Sequence, residues 1–362
     1  MSRDPGSALR LAVLPGDGIG PEVVEAALEV LRAVLEHDGQ RVAASYHEIG
    51  GSALDAVGDP LPTNSLEAAR RADAVLLGAV GGPRWERSPT RPEAGLLRLR
   101  SGLSAFANLR PVRVWPGLEA QSPLRTEITA GADLLFVREL TGGAYFGRPK
   151  GVAGRPPHRH SVDTCEYGEE EVRRVALVAF RAAQRRRGVL TSVDKANVLS
   201  TSQLWREVVE ECGAGFPGVR LQHQLVDSFA LAMLQRPRDF DVVVTENLFG
   251  DILTDEAAAL VGSLGLLPSA SGGGEGPWLY EPVHGSAPDL TGTGQANPLG
   301  AIACVAMLLR LTLEREDLAQ QVDSAMGEVI EAGALTPDLG GACDTAQVTA
   351  AVLERLRLGV VA

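Results

Sequence analysis

Two carboxylates, Asp251 and Asp255, are the residues whose types and spacing most clearly suggest chemistry. They follow an apolar run at residues 241–245 and lie four positions apart, which places both side chains on one face of a helix. Carboxylate oxygens suit Mg2+ or Mn2+, which need few such ligands and leave coordination positions open for a substrate. Acidic residues are also favoured at helix N-termini, so a structural role for the pair stays open.

A third carboxylate and a lysine close two further apolar runs. Asp227 ends the run at residues 224–227, which we predict to be a strand, and Lys195 follows the run at residues 189–193. In open α/β sheets, ligands bind beyond the carboxyl ends of the strands. Lys195 could also reach solvent along its aliphatic stem without binding anything, so its role stays open.

Three arginines, Arg100, Arg110 and Arg138, could supply the opposite charge. A guanidinium group presents a planar fork that pairs with a carboxylate through two hydrogen bonds. Each arginine alone is typical of a protein surface. Together with the three aspartates, however, the arginines predict a site in which a small dicarboxylate bridges guanidinium groups and a metal ion.

The elements that must position these residues alternate along the chain. Short runs rich in Val and Leu alternate with amphipathic segments, which predicts an α/β fold with a mostly parallel sheet covered by helices. We predict strands at residues 9–14, 74–80, 132–137, 189–193 and 241–245, and helices at 169–186, 201–211, 251–260 and 298–313. Two stretches rich in Gly and Pro, residues 141–157 and 268–300, interrupt this alternation.

Composition narrows the class of partner. The 362 residues are 45% hydrophobic and carry a formal net charge of −12, which argues against nucleic acid or an acidic membrane surface. The four cysteines form no C-x-x-C pair, which is typical of a reducing compartment. Residues 1–10 are polar and contain no apolar signal core, so we expect a cytoplasmic protein.

A glycine-rich turn, Gly16-Asp-Gly-Ile-Gly20, lies between the first strand and a helix opened by Pro21. Its position is that of a dinucleotide-binding turn, but its spacing differs from G-x-G-x-x-G and Pro21 removes an amide donor. A cofactor contact and a plain tight turn both stay open. His158 and His160 lie in a Pro-rich loop without other ligand types nearby, and we interpret them as surface residues.

The ordered motifs resemble those of the isocitrate and isopropylmalate dehydrogenase superfamily, and within it the 3-isopropylmalate dehydrogenases. The resemblance covers almost the whole chain and is carried by LPGDGIGPE at 14–22, FANLRP at 106–111, VRELTGG at 137–143, YFG at 145–147, VDKANV at 193–198, NLFGDILTD at 247–255 and EPVHGSAPD at 281–289. It implies a two-lobed, non-Rossmann α/β fold with the active site in an interlobe cleft.

The same resemblance implies the domain organisation. Residues 1–105 and 262–362 would form a discontinuous cofactor-binding lobe, and residues 106–261 a central lobe that makes a homodimer. An arm at about residues 141–163 would clasp the partner. The dimer would share its active sites, because Lys195 and Asp227 of one subunit would reach into the cleft of the other.

The resemblance implies that the chain would be an NAD-dependent oxidative decarboxylase of leucine biosynthesis, converting 3-isopropylmalate to 4-methyl-2-oxopentanoate and CO2. Arg100, Arg110 and Arg138 would bind the malate carboxylates, and Asp251, Asp255 and the partner's Asp227, which also contacts substrate, would hold Mg2+ or Mn2+. Lys195 would act as the base that removes the hydroxyl proton, and Tyr145 would protonate the enolate after decarboxylation. Whether K+ is also required is left open.

Substrate and nucleotide choice rest on two further segments. Glu93, Leu96, Leu97 and Val198 would pack against the isopropyl group, although Leu96 and Leu97 could instead begin a helix and fill core. Asp289 would accept a hydrogen bond from a ribose hydroxyl and repel a 2′-phosphate, which favours NAD over NADP. The other residues expected at the cofactor are Ile19, Glu281, His284, Gly285, Ser286, Ala287, Pro288, Leu290 and Asn297.

Two alternative functions remain open from the sequence. One is a sister enzyme acting on homoisocitrate, isocitrate, tartrate or D-malate, which would differ mainly around Leu96 and Leu97. The other is a noncatalytic regulatory subunit with the same fold. Such a subunit would be expected to lack a metal carboxylate, Lys195 or Tyr145, and this chain has all of them.

Overall fold

The computed structural model describes residues 8–359, so most of the polar N-terminal segment analysed above lies outside the described residues. The strands are β1 Leu9–Gly16, β2 Val42–Tyr46, β3 Ala74–Ala79, β4 Ala107–Arg113, β5 Asp133–Glu139, β6 Lys150–Ala153, β7 His160–Asp163, β8 Val189–Asp194, β9 Arg220–Leu225, β10 Val242–Thr245, β11 Pro268–Gly272 and β12 Trp278–Pro282. The helices are α1 Gly20–His37, α2 Gly51–Val57, α3 Thr63–Arg71, α4 Glu93–Gly102, α5 Thr126–Thr129, α6 Glu169–Gln184, α7 Ser200–Gly213, α8 Val226–Gln235, α9 Asn247–Val261, α10 Leu299–Leu311, α11 Glu316–Glu331 and α12 Thr345–Gly359.

The chain divides into two compact units, each with its own strands. Unit 1 comprises Met1–Ala105, Trp115–Ser122 and Val261–Ala362, and unit 2 comprises Phe106–Val114 and Pro123–Leu260. Of unit 1, the structure describes only the part that lies within residues 8–359. Within residues 8–359, no helix is both long enough and apolar enough to cross a membrane.

Unit 1 contains strands in the order β2, β1, β3, β12, β11, and only the β11–β12 pair is antiparallel. Its core is apolar because β3 is buried along its whole length and α10 is apolar on nearly every face. Pro21 lies in the first turn of α1, and the predicted apolar face of that helix, including Leu28 and Leu31, is buried.

Unit 2 contains strands in the order β4, β5, β10, β8, β9, and only the β4–β5 pair is antiparallel. The predicted mostly parallel α/β arrangement is therefore confirmed within both units. β10 is fully buried, and Phe229 packs edge-on against Phe136 and Phe240 with ring centroids 6.2 and 4.9 Å away. Strands β6 and β7 form a separate antiparallel hairpin with every residue exposed.

Two local predictions were wrong, and one pair of strands was not predicted. The run that ends in Asp227 is not a strand end, because β9 ends at Leu225 and Asp227 lies in the first turn of α8, whose Phe229, Ala232 and Met233 are buried at helical spacing. Helix α9 begins at Asn247 rather than at residue 251, so Asp251 is not in its first turn. The Gly- and Pro-rich stretch at residues 268–300 contains the strands β11 and β12.

Candidate active site

Arg138, at the end of β5, lies almost buried with only 5% of its side chain exposed. Its Nε and Nη2 atoms donate to Oδ1 of Asn247 over 3.1 and 2.8 Å, and its Nη1 atom forms an ion pair with Asp251. The guanidinium group is therefore held from two sides by the first two turns of α9. Its orientation is fixed before any ligand binds.

Tyr145 ends a 3₁₀ turn, Gly143–Tyr145, and its hydroxyl donates to Oδ2 of Asp251 over 2.6 Å. The guanidinium carbon of Arg138 lies 5.8 Å from the centre of the tyrosine ring. Burial raises the pKa of Tyr145 to about 12, and the hydrogen bond to the charged Asp251 contributes to the increase. The hydroxyl therefore keeps its proton at neutral pH and can serve as a proton donor.

Asp251 and Asp255 share one face of α9, as their spacing predicted. Burial raises the pKa of Asp251, but the charge of Arg138 and the hydrogen bond from Tyr145 outweigh burial and leave that pKa below its ordinary value. Asp255 is 70% exposed and lies 3.5 Å from Nη1 of Arg110, the same atom that donates to the Thr254 hydroxyl over 2.8 Å.

These groups fit a divalent cation by their chemistry. Two carboxylates lie one helical turn apart, one half-buried and one exposed, and such oxygen ligands suit Mg2+ or Mn2+. Nowhere in residues 8–359 do three acidic, histidine or cysteine side chains of one chain converge to form a metal site. Asp227 of the same chain is therefore not placed with Asp251 and Asp255 as a metal ligand set.

Lys195 and Asp227 form a separate ion pair in unit 2, with 2.5 Å between Nζ and Oδ1. Lys195 directly follows β8, and its neighbour in space, Asp227, opens α8 with most of its carboxylate exposed. The hydrogen bond from Lys195 lowers the pKa of Asp227. Val198, in the turn after Lys195, is 67% exposed.

In unit 1, α4 carries four predicted site residues, Glu93, Leu96, Leu97 and Arg100, on adjacent faces. Arg100 donates from Nη2 to Glu281 over 2.6 Å, and its buried Nε has no hydrogen-bond partner among the described residues. Leu97 is 50% exposed, whereas Leu96 packs against the apolar core of unit 1. One of the two interpretations therefore fits each leucine: Leu96 contributes to the core, and Leu97 is available for contact with a substrate.

Most of the residues predicted to surround a nucleotide lie in a loop of unit 1 that follows β12, whereas Glu281 lies in β12 and Ile19 precedes α1. The amide of Ile19 donates to the carbonyl of Ser286 over 2.9 Å, which joins this loop to the glycine-rich turn. Ala287 adopts a left-handed conformation with φ of 39°, and a 3₁₀ turn, Pro288–Leu290, follows with Asp289 exposed. Gly285 is exposed, and the side chain of Asn297 bridges Asp338 and the amide of Leu299.

His284 gives this loop an open hydrogen-bonding position. Its Nδ1 atom contacts the carbonyl of Gly285, whereas its buried Nε2 has no hydrogen-bond partner among residues 8–359. Burial lowers the pKa of this histidine, which favours the neutral ring. Buried polar atoms without a partner are uncommon in folded proteins, so the loop fits a polar cofactor that would supply one.

The glycine-rich turn proves to be a structural connection. The carboxylate of Asp17 accepts hydrogen bonds from the amides of Gly51, Ser52 and Gly81 over 2.7, 2.8 and 2.8 Å. Gly18 has a φ of +61°, and a Cβ atom there would lie 1.9 Å from the carbonyl oxygen of Ser286. These contacts account for Gly18 by close backbone packing.

Sequence reasoning assigned no role to three residues behind Arg138: Tyr167, Glu246 and Asn247. Asn247 belongs to the motif NLFGDILTD, but only the structure shows that its side chain accepts a hydrogen bond from Arg138. Glu246 precedes α9 and accepts hydrogen bonds from the amides of Leu248 and Phe249, as an N-cap residue does. That position before a helix was the one signal that could have identified it.

Comparison with known proteins shows close similarity to one family. A family model described as "Isocitrate/isopropylmalate dehydrogenase" matches residues 10–354. The chain is 52% identical to a 3-isopropylmalate dehydrogenase of Anaeromyxobacter dehalogenans, over 96% of this chain and 99% of that protein. It is 51% identical to the 3-isopropylmalate dehydrogenase of Bacillus licheniformis, over 95% of this chain and 94% of that protein.

Solved structures give the same result for the fold. An isocitrate dehydrogenase from Methylococcus capsulatus superposes with a TM-score of 0.84 at 34% identity, covering 96% of this chain and 99% of that one. A beta-decarboxylating dehydrogenase from Thermococcus kodakarensis, in its apo form, superposes with a TM-score of 0.81 at 37% identity, covering 98% and 97% of the two chains.

Proposed function

Because the chain belongs to the isocitrate/isopropylmalate dehydrogenase family, we propose that it oxidises 3-isopropylmalate with NAD and releases CO2, forming 4-methyl-2-oxopentanoate in leucine biosynthesis. The observation that carries this proposal is the convergence on Asp251 of a buried arginine and a protonated tyrosine, with Asp255 one turn away. This one cluster thereby contains a guanidinium group that can bind a carboxylate, two carboxylates that can bind a metal ion, and a proton donor.

Each side chain has a proposed task in this reaction. Arg100, Arg110 and Arg138 bind the two carboxylates of the substrate, because their forks match carboxylate geometry. Asp251 and Asp255, with the partner subunit supplying its own copy of Asp227, hold Mg2+ or Mn2+. A bound cation would supply polarisation of the oxygen on C2, and bound NAD would supply the acceptor for the hydride. Tyr145 protonates the carbon left by CO2, since its raised pKa keeps its hydroxyl protonated until that step.

We propose a homodimer with shared sites, in which Lys195 acts as the base in the neighbouring subunit. Two features of unit 2 support this proposal. The hairpin of β6 and β7 exposes Val152 at 73% and Val162 at 44%, and an isolated two-stranded hairpin is marginally stable in water. Leu231 on α8 and Ile252 on α9 are also exposed, at 60% and 58%, as subunit-facing apolar residues are in a free monomer.

Exposed side chains select the substrate and the nucleotide in this proposal. Leu97, Val198 and the aliphatic part of Glu93 contact the isopropyl group, for which an apolar pocket is selective by about 1 to 3 kcal/mol per methylene. The exposed Asp289 accepts a hydrogen bond from the adenosine ribose and disfavours NADP. We place the enzyme in the cytoplasm, because all four cysteines are unpaired thiols.

One assay tests the reaction. Purified protein with Mg2+ or Mn2+, with and without KCl, should produce NADH fastest from 3-isopropylmalate when compared with isocitrate, homoisocitrate, tartrate and D-malate. Isocitrate is the main competitor, because an isocitrate dehydrogenase shares the fold at 34% identity. Faster turnover of isocitrate would overturn the pocket assignment, and no turnover of any of these acids would overturn the proposed enzyme.

A further inference from the structure

A layer of hydrogen bonds in unit 2 lies behind the cluster that Arg138 forms with Asp251. Its first member is Asn247, which is 1% exposed and whose Oδ1 receives both the Nε and Nη2 protons of Arg138. Its Nδ2 donates to the carbonyl of Gly142 over 3.2 Å. One buried amide thus joins the arginine on β5, the N-terminus of α9 and the loop that leads to Tyr145.

The second member is Tyr167, whose hydroxyl accepts from the backbone amide of Asn247 over 2.9 Å and donates to Oε2 of Glu246 over 3.0 Å. Glu246 in turn accepts from the amides of Leu248 and Phe249 over 3.1 and 2.7 Å. The side chain of Tyr167 is 7% exposed, and burial raises its pKa, so it remains a hydroxyl donor at all working pH values.

Tyr167 also limits where the loop that carries Tyr145 can lie. A Cβ atom at Gly142 would lie 2.6 Å from the tyrosine ring, and one at Gly143 would lie 2.5 Å from its hydroxyl oxygen. The turn Gly143–Tyr145 therefore packs with its backbone directly against this ring. The same side chain that binds the N-terminus of α9 supports the loop carrying Tyr145.

Burial alone does not explain why Arg138 makes these particular hydrogen bonds. A buried guanidinium group must have its donors satisfied, but any acceptor would do so. Here Nε and Nη2 both donate to the single Oδ1 atom of Asn247, and Nη1 is directed at Asp251. Because neighbouring bonds in a buried network depend on one another, loss of one member should release the others.

We propose that Tyr167, Glu246 and Asn247 are positioning residues, which hold Arg138, Asp251 and the Tyr145 turn in the arrangement that binds a substrate carboxylate and a divalent cation. This inference rests on the proposed function and deepens it. None of the three residues is assigned a contact with substrate. Their effect passes through Arg138 and through the N-terminus of α9.

The test compares Tyr167→Phe with a matched control, Tyr280→Phe. Tyr280 is fully buried, and its hydroxyl makes one protein contact, 2.7 Å from Thr312, in the core of unit 1. Tyr167→Phe loses two buried hydrogen bonds and Tyr280→Phe loses one, so both variants should unfold at a lower temperature than wild type. Only Tyr167→Phe should raise KM for 3-isopropylmalate and lower kcat/KM, by about 10- to 100-fold, with KM for NAD unchanged.

A second pair of variants decides the outcome if Tyr167→Phe is poorly folded. Asn247→Asp keeps an oxygen for Arg138 and replaces the amide donor to Gly142 with a charged oxygen, whereas Asn247→Ala removes both the oxygen and the donor. We expect Asn247→Asp to recover at least about half of the logarithmic loss in kcat/KM seen for Asn247→Ala. Equal losses in the two variants, or kinetics of Tyr167→Phe equal to those of Tyr280→Phe, would overturn the positioning role.

Binding of Mn2+ alone, measured by calorimetry on the same proteins, separates this inference from the proposed function. If wild type turns over none of the acids but binds Mn2+ and Tyr167→Phe binds it about 10-fold more weakly, the positioning role stands and the reaction assignment fails. If wild type is active and Mn2+ affinity and KM are the same in Tyr167→Phe and Tyr280→Phe, the reaction stands and the positioning role fails.

Discussion

At the scale of single residues, the contacts around Asp251 hold two neighbouring groups in different protonation states: the carboxylate of Asp251 is ionised and the hydroxyl of Tyr145 is protonated. Arg138 keeps the carboxylate ionised, and burial together with the ionised carboxylate raises the pKa of Tyr145. An acid that stays charged and a phenol that stays neutral are what a metal ligand and a proton donor require.

We expect Tyr145→Phe to lower kcat by about two to four orders of magnitude, because the variant has no hydroxyl proton to deliver. Lys195→Met should do the same through loss of the base. Steady-state NADH formation measures both effects. Tyr46→Phe is the control, since Tyr46 also donates to a carboxylate, Glu25, over 3.0 Å but lies in none of the proposed machinery. Near-normal kcat in Tyr145→Phe would remove its assignment.

At the scale of elements, α9 approaches Arg138 so closely that only glycine fits at position 250. A Cβ atom there would lie 2.6 Å from Cγ and 2.9 Å from Cβ of Arg138, so the arginine would have to move. Alanine also favours a helix over glycine by about 0.5–1 kcal/mol. We therefore expect Gly250→Ala to lower kcat/KM by about 10- to 100-fold while the protein stays folded.

The matched control for this prediction is Gly327→Ala in α11, where a Cβ atom would lie 3.5 Å from the ring of Trp115, an ordinary contact. It should raise unfolding free energy by about 0.5–1 kcal/mol and leave kinetics unchanged. Thermal unfolding and steady-state kinetics of both variants provide the check. Wild-type kcat/KM in Gly250→Ala would contradict the idea that α9 positions Arg138.

A second prediction at this scale concerns His223 on β9, whose two buried ring nitrogens form no well-aligned hydrogen bond among the described residues, although Nε2 lies 3.2 Å from Oε1 of Glu210. Burial and the nearby Arg206 lower its pKa below the ordinary 6.5, against the attraction of Asp194 and Glu210. As pH falls below about 6.5, the unfolded chain binds this proton first, so the unfolding free energy decreases.

We expect His223→Gln to lose less thermal stability than wild type between about pH 7.5 and 5.5, because one proton that favours unfolding is removed. Differential scanning calorimetry at both pH values measures the loss. His37→Gln serves as the control, since His37 is exposed at the end of α1. A pH dependence equal to wild type in His223→Gln would refute this account.

The sequence predicted elements whose patterns are local and missed those set by distant contacts. Apolar runs at β1, β3 and β8 were recognised because each is buried along most of its length. Strands β11 and β12 were missed, because residues 268–300 are rich in Gly and Pro, which usually mark turns. Asp227 was placed on a strand, because the apolar residues before it fit either a strand or the start of a helix.

The candidate site shows the same division. The structure brings together Arg138, Tyr145 and Asp251, which the motifs had singled out. It also joins Tyr167 to Glu246, residues 79 positions apart, and no spacing rule connects them. Buried partners of this kind are chosen by the fold, so their pairing is not visible in the linear sequence.

At the scale of the whole molecule, the proposed sharing of sites makes a prediction about mixed dimers. Lys195→Met and Tyr145→Phe are each inactive alone, but a mixed dimer has one site with an intact tyrosine and the partner's intact lysine. Randomly paired subunits should therefore recover about a quarter of wild-type activity, since half of the dimers are mixed and half of their sites are complete.

Mixing the two variants, unfolding them together and refolding them should reveal this recovery in the NADH assay. The control is refolding each variant separately before mixing. Activity that stays at the level of the single variants, although mixed dimers form, would show that Lys195 serves the site of its own chain.

The route of the chain through the two units also bears on how the protein emerges from the ribosome. Unit 2 ends at Leu260, whereas β3 in unit 1 must wait for β12 and its covering helix α10. At about 5–20 residues per second, translation of the last hundred residues takes about 5–20 s. The N-terminal third of the chain is thus exposed to chaperones and proteases as an unfinished sheet while the middle of the chain can already be folded.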